Sequence, residues 1–141
     1  MDLSDEALAL ARENAASSVL AGRVTFVRSN WFDALPPDSR YDLIVANPPY
    51  LSAEETAETA PEVNGHEPAS ALTAADGGLA DLRAIITDAP RFLAPDGWLA
   101  LETGITQHAE LSRLAADAGF KRTESLTDLT GRDRFLLAWL E

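Results

Sequence analysis

Two periods of apolar residues alternate along this chain, one helical and one extended, and glycines and prolines mark where each stops. Residues 5–17 are rich in Ala, Leu, Arg and Glu, all good helix formers. Ser4 is placed to cap that helix, and Asp5 and Glu6 sit where its dipole favours acids. Gly22 closes the region, and residues 23–27 (Arg-Val-Thr-Phe-Val) read as a short strand. After a Pro36-Pro37-Asp38 turn, Tyr41–Ala46 is an apolar run of buried-strand type, halted by Asn47-Pro48-Pro49.

Residues 51–78 are mostly polar, and a stretch of that length inside a compact domain is usually functional or disordered. Helical spacing returns at Leu79, Leu82, Ile85, Ile86, Ala89 and Phe92, and Pro90 predicts a kink or early stop there. Ala94-Pro95-Asp96-Gly97 reads as a turn and residues 98–102 as a strand. A further helix is predicted over 107–118, stopped by Gly119, then strands over 120–126 and 133–140. This alternation predicts an α/β sheet with helices on both faces. No helix separates the last two strands, so they should be antiparallel neighbours.

The length of 141 residues suits one domain, and a hydrophobic fraction of 46% is ordinary for a globular chain. No apolar run reaches the roughly 18 residues of a membrane-spanning helix. The opening Met1-Asp2-Leu3-Ser4-Asp5-Glu6 is acidic, unlike a secretory signal. These points make the cytoplasm the expected location. There is no Cys, and His66 and His108 lie far apart, so no metal site is expected. The formal charge of -12 disfavours a nucleic-acid partner, because affinity for a polyanion comes largely from Lys and Arg.

The chemistry concentrates in Asn47-Pro48-Pro49-Tyr50. In an open α/β sheet, ligands bind beyond the carboxyl ends of the strands, where this tetrapeptide falls. It suits a nitrogen nucleophile. The Asn47 side-chain oxygen and a backbone carbonyl such as that of Pro48 could hold the two N–H bonds of a planar amide or amine. Two prolines lower the entropy of keeping that geometry, and Tyr50 offers a flat face for stacking. The nitrogen lone pair then points at an activated methyl, so catalysis is by positioning and electrostatics. Pro-Pro alone would be only a turn.

Asn-Pro-Pro-Tyr after a strand resembles the amino-group methyltransferases of class I (Rossmann-like) fold. They act on exocyclic amines of nucleobases or on glutamine side chains. Further segments narrow the resemblance: Asp2-Leu3-Ser4, Asn30-Trp31-Phe32, His66-Glu67-Pro68 with Ala71-Leu72, Asp76-Gly77-Gly78-Leu79, Ala89-Pro90-Arg91-Phe92-Leu93, Glu102-Thr103-Gly104 and Asp128-Leu129-Thr130-Gly131-Arg132-Asp133-Arg134. In this order they are similar to the HemK/PrmC group, the release factor glutamine methyltransferases, over essentially the whole chain. The resemblance implies S-adenosyl-L-methionine as methyl donor. Asp2 would bind its ribose hydroxyls, Trp31 would lie along its adenine, and Asn47 would stand near both cofactor and substrate. Asn47, Pro48, Pro49 and Tyr50 would hold the glutamine of the release factor's Gly-Gly-Gln loop, with Asn47, Pro48 and Tyr50 carrying the catalysis. For His66 and Glu67 a solvated loop is the simpler reading. Glu102 could cap its strand, and Arg132 and Arg134 could form surface ion pairs or hold the last hairpin.

The front of the chain departs from that family. No Gly-rich loop precedes Asp2, Gly77-Gly78 comes too late to replace one, and the family's helical N-terminal domain is absent. Asn30 stands where the family has Asp, which removes a charge near the expected adenine site. The expectation is therefore a class I methyltransferase catalytic domain, partial and truncated at the N-terminus, occupying residues 1–141, with an antiparallel strand pair at its C-terminal end. A strand at 23–27 without neighbours leaves open edges, and self-association is expected to cover them. A nucleic-acid adenine methyltransferase and an inactive methyltransferase fragment are the alternatives.

Overall fold

A computed structural model describes residues 1–19, 22–51, 54 and 73–141. They form two compact units, Met1–Ser39 and Arg40–Glu141.

In the first unit, helix α1 spans Asp5–Ala16. The Ser4 hydroxyl accepts a hydrogen bond from Ala7 N at 3.2 Å, the capping expected of it. Leu8 is the buried residue of α1, at 2% exposure. Arg12 lies over the Phe26 ring at 5.7 Å. Residues 23–27 do not form the predicted strand. A ladder needs a partner strand, and what the unit offers is one bridge, Asp2 to Arg28. Its hydrogen bonds run from Asp2 N to the Val27 carbonyl (3.3 Å) and from Ser29 N to the Asp2 carbonyl (3.0 Å).

The second unit is a four-stranded sheet: β1 (Tyr41–Ala46), β2 (Leu93–Glu102), β3 (Arg122–Thr127) and β4 (Asp133–Trp139), in the order β1-β2-β4-β3. β1 and β2 are parallel, while β4 runs antiparallel to both β2 and β3. The last two strands are thus the antiparallel neighbours that the missing helix between them predicted. Exposure alternates along β2 and β4. Ile44, Leu99, Leu101, Leu136 and Ala138 are buried on one face. Helix α2 (Ala80–Asp88) buries Leu82, Ile85 and Ile86, and helix α3 (His108–Asp117) buries Leu111 and Ala115. α3 packs on β3 and β4, and α2 packs on α3. On the opposite face Trp98 and Trp139 stack at 5.8 Å, with Arg122 over Trp139 at 3.8 Å.

Two sequence expectations need adjustment here, and the early stop expected at Pro90 is found. Tyr41–Ala46 forms a strand over the predicted residues, but it is an edge among the described residues. Only Ile44 is buried, and Leu43 and Val45 are 42% and 72% exposed. The turn expected at Ala94–Gly97 is instead a register irregularity inside β2: between consecutive β1 contacts, Tyr41 to Leu43 advances two residues while Leu93 to Trp98 advances five. Asp96 takes a left-handed φ of 61°, and a Cβ on Gly97 would meet the Ala94 carbonyl at 2.8 Å. α2 ends before Pro90, which sits in a single 3-10 turn, Ala89–Arg91. Among the described residues no helix is long and apolar enough to cross a membrane.

Candidate active site

The parallel pair sets the location. Ala46, the last residue of β1, pairs with Leu101, so the chain leaving β1 and the chain leaving β2 emerge at the same end of the sheet. Asn47–Tyr50 follows β1 there, and Glu102-Thr103-Gly104 follows β2. Because β4 is antiparallel, its beginning comes to this end as well: Phe135 pairs with Glu102, and Thr103 N donates to the Arg134 carbonyl at 2.9 Å. Asn47 is exposed and Pro48 fully buried, so the first proline anchors the loop that presents the asparagine.

Tyr50 is held at both ends. Its hydroxyl donates to Glu102 Oε1 at 2.9 Å and accepts from Arg134 Nη1 at 3.2 Å. Its carbonyl accepts from Gln107 Nε2 at 3.0 Å. The same carboxamide donates to the Gly78 carbonyl at 3.3 Å, and its oxygen accepts from Gly104 N at 2.8 Å. Gln107, the N-cap residue of α3, therefore ties three loops together. Burial first, then the Glu102 carboxylate, push the Tyr50 phenol above its ordinary pKa, with Arg134 opposing. Tyr50 stays a neutral donor to Glu102.

Arg134 is fixed in turn. Its Nη1 also donates to the Thr103 carbonyl at 3.0 Å, its guanidinium lies 5.6 Å from the Tyr50 ring centre, and its Nε is 4.0 Å from Asp128 Oδ2. Asp128 organises the hairpin between β3 and β4. It accepts from the Thr130 hydroxyl (2.6 Å), Thr130 N (2.8 Å), Arg132 N (3.1 Å) and Arg132 Nε (3.0 Å). Those donors hold its carboxyl well below the usual carboxylate range. Arg132 thus does hold the last hairpin, as one reading of the sequence had it, whereas Arg134 reaches the tetrapeptide.

The approach to α2 is strained on the same side. Leu51 and Thr73 form an isolated bridge, with Ala74 N donating to the Leu51 carbonyl at 3.0 Å. Asp76, Gly77 and Gly78 then take left-handed φ of 55°, 62° and 86°. A Cβ on Gly78 would lie 2.2 Å from the Tyr50 carbonyl oxygen, so only glycine fits there.

The other predicted residues belong to the first unit or lie outside the described residues. Asp2 and Trp31 belong to Met1–Ser39. Asp2 is exposed, and its Oδ1 accepts from Ser4 N at 2.8 Å. Trp31 is half-buried, with a left-handed φ of 47° in a turn where the Ser29 hydroxyl donates to its carbonyl at 2.7 Å. His66 and Glu67 lie outside the described residues. Sequence reasoning had no role for Gln107 or Glu102 at the site. Glu102 and Arg134 lie in segments that carried the family resemblance, Glu102-Thr103-Gly104 and Asp128–Arg134, whereas Gln107 lies in none.

Comparison with known proteins now adds to this geometry. The family profile of the methyltransferase small domain matches residues 1–79. A release factor glutamine methyltransferase of Cereibacter sphaeroides is 47% identical over 139 residues, covering 99% of this chain and 49% of that protein. One of Thermosynechococcus vestitus is 42% identical, over 98% of this chain and 48% of its own length. The chain thus spans about half the length of the curated relatives it matches. Among solved structures, a methyltransferase from Pyrococcus furiosus superposes with a TM-score of 0.66 at 13% identity, over 98% of this chain and 59% of that one. A ribosomal protein L11 methylase from Lactobacillus delbrueckii gives 0.60 at 20%, over 98% and 53%.

Proposed function

The chain belongs to the methyltransferase small domain family, and from that premise we propose that it is part of the catalytic domain of a release factor glutamine methyltransferase. The fold is accordingly of class I type, and the substrate proposed is the side-chain amide of the glutamine in a Gly-Gly-Gln loop. The observation that carries the reading is Asn47-Pro48-Pro49-Tyr50 at the carboxyl end of β1, its tyrosine held at hydroxyl and carbonyl.

S-adenosylmethionine, when bound, supplies an electrophilic methyl group. The side chains present suit its parts in chemistry: the exposed Asp2 carboxylate for a pair of ribose hydroxyls, the Trp31 ring for adenine, and the Asn47 carboxamide beside the reacting groups. Exposed Asn47 Oδ1 accepts an amide N–H bond, while Pro48, fully buried, serves by holding the loop and not by offering its carbonyl. The Tyr50 ring stacks on the plane of the amide. Buried Pro48 keeps the loop from relaxing, so positioning costs little at the moment of reaction. A cytoplasmic location follows from such a substrate. Self-association through the exposed edge of β1 completes the proposal, supported by Leu43 and Val45.

Calorimetric titration with S-adenosylmethionine and S-adenosylhomocysteine, followed by methyl transfer to a release factor, tests the reading. Micromolar binding and transfer that Asn47→Ala reduces by about 100-fold or more are expected. Absence of binding would make the chain an inactive methyltransferase fragment.

A further inference from the structure

Tyr50 is oriented from the far end of the chain. An aromatic side chain has two rotatable bonds, so securing the hydroxyl at the ring's tip secures the direction of its faces. Here the hydroxyl has one donor and one acceptor partner, on different strands. Glu102 ends β2, and Arg134 is the second residue of β4. Arg134 is only 18% exposed at its side chain, and three groups share its guanidinium: the Tyr50 hydroxyl, the Thr103 carbonyl and the more distant Asp128 carboxylate. This planar fork divides its hydrogens among acceptors in fixed directions, which a lysine ammonium does not reproduce.

We propose that Glu102 and Arg134 are positioning residues that set the orientation of the Tyr50 ring and thereby the plane in which a substrate amide is received. The proposal rests on the function argued above and names two of its specificity-determining side chains. The Asp128 hairpin acts one step further back, by holding Arg134. Because the phenol hydrogen is spent on Glu102 and its oxygen accepts from Arg134, Tyr50 acts on an amide through its ring face. The charges are consistent with this arrangement: Arg134 stands beside the Asp128 carboxylate, and a neutral phenol is the form that satisfies Glu102.

The test has two readouts. The chain has two tyrosines, so in a Tyr41→Phe background the ultraviolet titration of phenolate reports Tyr50 alone. Glu102→Gln should move that titration to lower pH and Arg134→Met to higher pH. In methyl transfer to a release factor, Arg134→Met and Glu102→Gln should each lower kcat/KM by about 10- to 100-fold while the affinity for S-adenosylhomocysteine is unchanged. Arg134→Lys should not rescue. Tyr50→Phe removes only the shared hydroxyl and should reproduce the kinetic loss, which keeps the test open if Arg134→Met does not fold. A Tyr50 titration that ignores both substitutions overturns the proposal, whatever the activity. Shifted titrations with undiminished transfer overturn it too, because the ring is then held to no catalytic effect. A wild-type chain that transfers no methyl group contradicts the proposed function, and the titration still decides whether the clamp exists.

Discussion

Alanine at Gly78 and alanine at Gly77 should differ sharply, although both residues are left-handed glycines in the same turn. At Gly77, with φ 62°, an added Cβ meets nothing within 4 Å. Its cost is the left-handed penalty of about 1–2 kcal/mol, less about 0.4–1 kcal/mol recovered because alanine has fewer unfolded conformations. The net is about 1 kcal/mol of destabilisation. At Gly78, with φ 86°, the same strain applies, but the Cβ would also sit 2.2 Å from the Tyr50 carbonyl oxygen, 2.8 Å from its carbon and 2.9 Å from Gln107 Nε2. The contact is with backbone, which gives less readily than a side chain. Overpacking adds about 1–3 kcal/mol. Displacing Gln107 from the Tyr50 carbonyl leaves a part-buried acceptor short of its partner, for about 1–3 kcal/mol more. Gly78→Ala should therefore lose about 3–7 kcal/mol. Urea unfolding followed by tryptophan fluorescence measures both variants against the wild type. Equal stabilities for the two variants, within about 0.5 kcal/mol, would refute the close approach of Gly78 to Tyr50.

His108 provides a pH-dependent expectation. It is buried between the Thr103 hydroxyl (2.7 Å at Nε2) and the Ser125 hydroxyl (2.8 Å at Nδ1), and desolvation lowers its pKa from the ordinary 6.5. The unfolded chain then takes up the proton first, so stability is level above 6.5 and falls as pH drops through that value toward the lower folded one. Thermal unfolding at about pH 7.5 and 5.5 should show this fall, and His108→Gln should lessen it; an unchanged pH dependence in the variant would rule His108 out as its source. Self-association through β1 predicts a light-scattering mass above one chain, reduced to one by Val45→Lys at the exposed edge. A clean wild-type monomer would dismiss that contact.

Periodicity and punctuation made most of the second unit legible. Tyr41–Ala46 was bounded by its apolar run and by the prolines after it, and α2 by Pro90, where the ring forbids a continuing helix. What periodicity does not carry is pairing. Residues 23–27 have strand-like composition, but a strand exists only by its neighbour, and one bridge is what Asp2 supplies. The Ala94–Gly97 excursion reads as a turn between elements, because nothing local says that β2 resumes the same partner after it. The site shows the same division. Asn47–Tyr50 is contiguous and therefore visible, whereas Glu102, Gln107 and Arg134 lie 52, 57 and 84 positions from Tyr50.

The longest of those separations, that of Arg134, follows from one topological feature. A sheet of parallel strands alone would bring strand ends to this edge, and each would arrive with its loop leading away. β4 is antiparallel, so it delivers a strand beginning, and Arg134 enters the site from the second residue of that strand, at the register shift opposite Leu126 and Thr127, and not from a free loop. That rigid origin matters for the tetrapeptide. Its tyrosine has both polar groups engaged by the protein, its first proline is buried, and its asparagine is exposed. The four residues therefore divide their work. In the function proposed above, exposed Asn47 is the group left to meet hydrogen-bond donors, and Tyr50 offers an oriented surface. Under that proposal a planar amide or amine fits the division better than a hydroxyl or a thiol, because it brings N–H donors on a plane that can stack.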